Sequence, residues 1–301
     1  MRHLILSVLL LAFAAGIPAA SAAPRCALGA PGTTQRVAVG QTGRTMLLHV
    51  PASYRPGAPL PLLFALHGSG GDGAAILKQS GLEATSDRHG FLLAAPDGGI
   101  PLESGFVWNI PGVPTVTGKV PGPNDADDVA FIRTAIDWLA AQGCADRARV
   151  YSTGLSGGGR MTSWLGCVAS DKIAGIAPVV GLRAGNPLVS DPKRPDPATC
   201  RPAHPVPVIA FAGDADGTNP VQGGGAGYWQ YTMDAALARW AELGACRAGP
   251  LRRDLAADRY EQLYTACQSR AEVAGHITRG AGHVWTADND AMWAFLSRYR
   301  R

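Results

Sequence analysis

The sequence predicts an α/β protein, with a mostly parallel central sheet and helices on both faces. Three observations carry that prediction. A continuous apolar run at Leu62-Leu63-Phe64-Ala65-Leu66 gives a strand signature that recurs at Phe91 to Ala95, Val150 to Thr153, Ile173 to Val180 and Val206 to Phe211. Unbroken runs of that length read as strands buried on both faces of a parallel sheet. Helical stretches lie between them, and Val129, Ile132, Ile136 and Leu139 mark one face of the clearest. Glycine and proline, 38 and 23 of 301 residues, supply the turns that join such elements. Buried strands linked by helices imply right-handed crossovers in one sheet.

Composition narrows the class of function. With 47% apolar and 17% charged residues, the chain has ample material for a core and is no disordered segment. Net charge is +4, and its 23 arginines and 4 lysines are scattered without a basic stripe, so no nucleic-acid partner is expected. At the start, Arg2 and His3 precede an apolar run from Leu4 to Ile17, and Ala20-Ser21-Ala22 follows. This is the pattern of a cleaved secretory signal peptide over residues 1–22. The run falls short of the roughly 20 residues a bilayer span needs, so no membrane anchor is expected. Arg25 directly before Cys26 does not fit a lipoprotein acceptor site. Residues 23–301 carry no repeat or linker and read as one secreted or periplasmic domain.

Export places the six cysteines in an oxidising compartment, where an even number points to disulfides. No C-x-x-C or Cys/His cluster occurs, so no metal site is expected. The sequence alone permits about 15 pairings. Cys246–Cys267 would close a loop across two predicted strands, and Cys167–Cys200 would tie one βα unit to the next. Cys26–Cys144 follows by elimination. Residues 98–123 and 182–206, rich in Gly and Pro, fit no element. Long loops of this kind tend to be functional, and ligands of such sheets bind beyond the strands' carboxyl ends. Both loops are therefore expected as walls of a site.

The chemistry starts at Gly154-Leu155-Ser156-Gly157-Gly158, a G-x-S-x-G pattern. On its own the pattern is weak in a glycine-rich chain. Its setting raises it, because Val150 to Thr153 enters as a strand and Arg160 to Leu165 leaves as a helix. That strand–turn–helix is what a nucleophile elbow requires. The turn is tight enough that Gly154 and Gly158 must lack Cβ. The N–H of Gly157 would then face a developing oxyanion at a helix N-terminus.

A serine at such an elbow needs a base and a carboxylate, in chain order serine, acid, histidine. Three histidines lie downstream of Ser156. His204 sits among prolines, and His276 falls inside a strand-like stretch and reads as structural. His283 lies in Gly280-Ala281-Gly282-His283-Val284-Trp285, a glycine-rich loop after the last strand, and is the expected base. The strand Val206 to Phe211 runs into Asp214 and Asp216, and position alone does not choose between them. A second oxyanion donor is expected in Leu66-His67-Gly68-Ser69-Gly70-Gly71, from the N–H of Ser69, with His67 bracing the loop. Asp127 and Asp128 read as helix-capping carboxylates. Trp108, Tyr228 and Trp229 are candidate aromatic walls of a substrate pocket.

Together these segments resemble the secreted α/β-hydrolase family that groups polyhydroxybutyrate depolymerases with bacterial feruloyl and acetylxylan esterases. The resemblance runs from about residue 38 to the C-terminus. It rests on the His67 loop, on Asp127-Asp128-Val129-Ala130-Phe131-Ile132, on Arg149 to Gly158, and on Ala177-Pro178-Val179-Val180-Gly181. It implies an α/β-hydrolase fold with the nucleophile elbow at Ser156, Asp216 as the acid and His283 as the base. The sequence departs from the family pattern at Ala212 and Asp214, where histidine and threonine are usual. It departs again at Thr286, where proline is common.

The expected function is a cofactor-free serine esterase. The resemblance implies feruloyl-type esters of plant cell-wall polysaccharide as substrate, with Gly227-Tyr228-Trp229 looking like the feruloyl branch. Polyhydroxybutyrate and acetylated xylan are the alternatives. Depolymerases that attack polymer often carry a C-terminal binding module, and no such segment is read here. A non-catalytic binding protein on the same fold is the contrasting class, set against the intact triad. No obligate protein partner is evident.

Overall fold

The computed structural model describes residues 26–27, 29–225 and 228–301. The leader read over residues 1–22 lies outside the described residues, as does Gly227.

The chain enters through β1 (Thr33–Ala38) and β2 (Thr45–Val50), then β3 (Leu60–Leu66), α1 (Gly73–Ser80), α2 (Leu82–His89) and β4 (Leu92–Pro96). A small hairpin follows, β5 (Ile100–Pro101) and β6 (Phe106–Val107), and then α3 (Asp128–Ala141) and β7 (Ala145–Leu155). Next come α4 (Gly157–Val168), β8 (Gly175–Val179), a second small pair β9 (Pro187–Leu188) and β10 (Asp191–Pro195), and β11 (Val208–Gly213). The last third holds α5 (Met233–Leu243), β12 (Ala248–Ala256), β13 (Arg259–Thr265), β14 (Val273–Thr278) and α6 (Asn289–Leu296).

Ten strands form one sheet in the order β1-β2-β4-β3-β7-β8-β11-β14-β13-β12. The six central strands, from β4 to β14, run parallel, and antiparallel strands close both edges. The apolar runs became these central strands because both of their faces are covered. Along β3, Leu62, Phe64 and Leu66 join one core cluster, and Leu63 and Ala65 join the other. Helices α3, α4 and α5 cover the first face with Phe131, Ile132, Leu165 and Trp240. Helices α1 and α6 cover the second with Ile76, Trp293 and Leu296. At roughly 25 cal/mol per Å² of apolar area, this two-sided burial is the main stabilising term.

Most strand ends differ from the sequence reading by one or two residues, as where Ile173 and Ala174 are buried but precede β8; the strand read from Val150 starts five residues earlier, at Ala145 of β7. The helix read near Asp127 begins there, with Asp127 as N-cap accepting from Ala130 N–H at 2.9 Å. Asp128 has a different role from capping. Its buried carboxylate takes the guanidinium of Arg44 at 2.7 Å and the N–H of Asn109 at 2.8 Å. Disulfides join Cys26 to Cys144, Cys167 to Cys200 and Cys246 to Cys267. Constraint of the unfolded chain by each contributes on the order of 3 kcal/mol. The second ties α4 to the 182–206 loop, and so holds a wall of the site against the helix that follows Ser156.

Candidate active site

The elbow is built by backbones that press together. A Cβ on Gly158 would lie 2.0 Å from the carbonyl oxygen of Leu66, and one on Gly154 would lie 2.6 Å from the carbonyl carbon of Gly158. Strand β3 and helix α4 therefore cross at van der Waals contact, which only glycine permits. Ser156 itself takes φ +54° and ψ −111°, a conformation costly for a residue with a side chain. It is held there from both sides: its N–H donates to Val179 O, and its carbonyl accepts from Arg160 N–H, both at 2.9 Å. Its half-buried side chain stands at the carboxyl end of β7.

The loop after β3 comes down on the start of α4. The position a Cβ on Gly157 would occupy is 3.0 Å from Ser69 N, so Ser69 and Gly157 flank one small space. His67 is wholly buried beneath that loop. Its Nδ1 lies 2.8 Å from Gly68 O, and its Nε2 accepts from Gly98 N–H at 2.8 Å. Burial holds its pKa below the usual histidine value, so the ring stays neutral and can accept at Nε2. The Trp108 ring lies tilted against this ring, 4.7 Å between centroids, and donates its indole N–H to His67 O.

The candidate acid and histidine follow two further parallel strands, β11 and β14, with β8 between them and β7. Asp216 follows β11 and His283 follows β14. Asp216 Oδ2 is 2.8 Å from His283 Nδ1, and Oδ1 accepts the N–H groups of Thr218 and Asn219, both at 2.8 Å. The carboxylate is 1% exposed and the imidazole 25%. Asp214 does other work: its Oδ1 accepts from Gly280 N–H at 2.7 Å, and Ala215 N–H donates to Ala281 O at 3.0 Å. It thereby pins the histidine loop across the end of β11. There the loop passes so close that a Cβ on Gly213 would lie 2.1 Å from Ala281 O.

The remaining predicted residues fall in different places. Trp108 borders a cavity with Ser69 and Gly157, Tyr228 borders the one that adjoins it, and Trp229 borders neither. Trp229 is 3% exposed, its ring packs on the guanidinium of Arg183 at 3.6 Å, and its indole N–H donates to Pro220 O. It is a support of the 228–231 loop, corrected from a candidate pocket wall. His276 pairs with Glu261 inside the sheet at 3.1 Å. His204 borders a separate cavity at the amino end of the strands.

Two adjoining cavities open beside the elbow. One is bordered by Ser69, Trp108 and Gly157. The other is bordered by Trp164, Arg183 and Tyr228. They share Ile110, Val113 and Arg160. Both unassigned loops thus supply walls, residues 98–123 through Ile110 and Val113 and residues 182–206 through Arg183.

The sequence reading missed three residues of this site. Asn219, buried, donates its amide to Val180 O at 2.6 Å and links the acid loop to β8. Arg160 and Arg183 were also passed over. A signal for Arg160 was present, since no acid lies three or four positions from it on its helix.

No protein-family model matches the chain. Among curated proteins, feruloyl esterase B of Piromyces equi is 27% identical over 265 residues, 85% of this chain and 45% of its own length. A putative esterase, NocK, of Nocardia uniformis subsp. tsuyamanensis is 35% identical over 196 residues, 64% of this chain and 51% of its own. Poly(3-hydroxyalkanoate) depolymerase C of Paucimonas lemoignei is 33% identical over 138 residues, 45% of this chain and 31% of its own. The chain spans about half the length, or less, of these relatives. Among solved structures, acetyl xylan esterase from Aspergillus awamori superposes with a TM-score of 0.62 at 15% identity, covering 88% of this chain and 99% of that one. The chain is an α/β-hydrolase by fold, and its sequence relatives are the grouping of feruloyl esterases, acetylxylan esterases and polyhydroxyalkanoate depolymerases that its motifs resemble.

Proposed function

We propose that this protein is a secreted serine esterase acting on carboxylic esters. In this reading Ser156 Oγ attacks the ester carbonyl while His283 Nε2 takes its proton. The tetrahedral oxyanion is held by the N–H groups of Ser69 and Gly157, beside the positive end of α4. His283 then protonates the departing alcohol, which leaves an acyl group on Ser156. Water, deprotonated by the same imidazole, releases the acid and restores the serine. Asp216 fixes the Nδ1–H tautomer and offsets the charge of the imidazolium.

The observation that carries the reading is a strained serine elbow and a buried Asp216–His283 pair that follow the carboxyl ends of β7, β11 and β14 in one parallel sheet. The test is hydrolysis of an aryl acetate by the native protein and by Ser156→Ala. Equal rates would remove Ser156 from the mechanism. Secretion is supported by three cystines, a bonding pattern of oxidising compartments. Finding the mature protein in the exported fraction, starting near residue 23, would check it.

For the substrate, feruloyl-type esters of cell-wall polysaccharide are the finer reading. Support comes from the feruloyl esterases among the relatives and from Trp164 and Tyr228, which border the larger cavity and can stack on an aromatic acyl group. Acetylated xylan and polyhydroxybutyrate are the competing substrates. A side-by-side assay with methyl ferulate decides, and a tenfold preference for the polymer would replace the feruloyl reading.

A further inference from the structure

Arg160 lies one helical turn past the nucleophile elbow. Long side chains on a helix lean towards its N-terminus, which carries this guanidinium back to the candidate oxyanion donors. Its Nη2 donates to Ser69 Oγ at 3.3 Å and is 3.5 Å from the position of a Cβ on Gly157. The group rests over the Tyr228 ring, 4.0 Å from its centroid. Arg160 is only 7% exposed, and its Nε is buried without a hydrogen-bond partner.

A second guanidinium faces the same cavity. Arg183 is 7% exposed and donates to Tyr231 O at 3.1 Å and Tyr228 O at 3.0 Å, with its Nε also unpartnered. Burial lowers the pKa of both groups, that of Arg183 to about 10; a guanidinium keeps its charge in proteins at neutral pH. Other arginines of the chain, such as Arg44, Arg133 and Arg253, meet carboxylates. Among the described residues neither Arg160 nor Arg183 forms an ion pair with a carboxylate, and each guanidinium acts unfavourably on the other's charge as a like cation. No Asp or Glu borders the cavity they share.

Two cations buried without a counter-charge cost several kcal/mol each, and a guanidinium carries five N–H donors for one planar acceptor. Arg160 spends these donors on uncharged neighbours at long range. Aromatic rings face both guanidiniums but supply no counter-charge, which an anion would, and the cavity that Arg160 borders adjoins the candidate oxyanion donors. We propose that this cavity is an anion subsite, so that the preferred substrate is an ester carrying a free carboxylate, bound by Arg160 with Arg183 adding to the positive field. The inference rests on the esterase reading of Ser156 and not on the feruloyl choice of substrate.

The test compares esters that differ by one charge. Monomethyl and dimethyl esters of succinate, glutarate and adipate place the carboxylate on the acyl side. Acetoxyacetate and 3-acetoxybutyrate, set against propyl acetate, place it on the alcohol side. In the native protein, kcat/KM is expected to favour the charged ester at least tenfold in one of the two series. The preference should shrink in 0.5 M NaCl, fall to about one in Arg160→Gln and survive in part in Arg160→Lys. Equal rates in both series, or a preference that Arg160→Gln retains, would overturn the subsite. If Arg160→Gln does not fold, calorimetric titration of Ser156→Ala with glutarate decides: saturable, salt-weakened binding supports the subsite and no binding overturns it. The esterase reading is judged separately, by whether native protein and not Ser156→Ala cleaves the neutral esters.

Discussion

His276 and His283 stand seven positions apart near the end of the chain, and each meets a carboxylate. His276 lies within β14, directly opposite Glu261 in the antiparallel register with β13, and is 8% exposed. Glu261 is shared, since it also accepts from Arg253 Nε at 2.6 Å. Phe211 packs against the His276 ring at 5.3 Å. Everything around this pair is fixed by the ladder, so it acts as a strut. His283 has left the ladder, and Asp216 holds it from a neighbouring strand end. Asp216 Oδ1 is fully occupied by two backbone N–H groups, which leaves Oδ2 for the imidazole. Nearly the same pair of groups therefore braces a sheet in one place and, on the proposed reading, serves proton transfer in the other. The difference lies in the backbone, not in the side chains.

That contrast can be broken by substitution, and the effects should fall in a definite order. Ser156→Ala removes the nucleophile that the outer pair serves, and ester turnover should fall by at least about 10⁴-fold. Asp216→Asn presents an amide N–H to His283 and favours the wrong tautomer. Turnover should then fall by about 10³- to 10⁴-fold with little change in the melting temperature. Asp214→Asn keeps an oxygen to accept from Gly280 N–H, so the histidine loop stays pinned and activity should drop less than about tenfold. A larger loss from Asp214→Asn than from Asp216→Asn would exchange their roles.

The inner pair should report on stability. Its hydrogen bond to His276, followed by that to Arg253, holds the Glu261 carboxyl below the usual glutamate value. A depressed folded-state pKa gives stability that is present above the unfolded value of 4.5 and is lost as pH falls through the lower folded value. Glu261→Gln should therefore flatten that acid limb in denaturant titrations. At neutral pH it should cost about 1–3 kcal/mol by leaving a buried partner unmatched. Ester turnover at 25 °C should stay within threefold of native. A large loss of turnover with unchanged stability would make the inner pair part of the chemistry.

How much of this was legible follows from where each feature is encoded. The parallel strands and the elbow are local patterns: Leu62 to Leu66 reads as buried whatever surrounds it, and Gly154 and Gly158 flag a turn that no larger residue can make. The histidine was legible because only His283 lies on a loop of glycines past the last strand. The choice between Asp214 and Asp216 was not written locally. It depends on which carboxylate Gly280 reaches and which the Thr218 and Asn219 amides reach, and those bonds exist only when two loops have docked. Trp229 misled because an aromatic in a loop does not reveal whether it faces a cavity or an arginine.

The central claim is that Ser156, served by Asp216 and His283, is the nucleophile. The most direct measurement is reaction of the folded protein with an alkyl fluorophosphonate, followed by mass spectrometry of the labelled peptide. The account predicts one phosphonyl adduct, on Ser156, formed rapidly by the native protein and by Asp214→Asn, slowly by Asp216→Asn and not at all by Ser156→Ala. An adduct on another residue, or labelling that persists in Ser156→Ala, would contradict it.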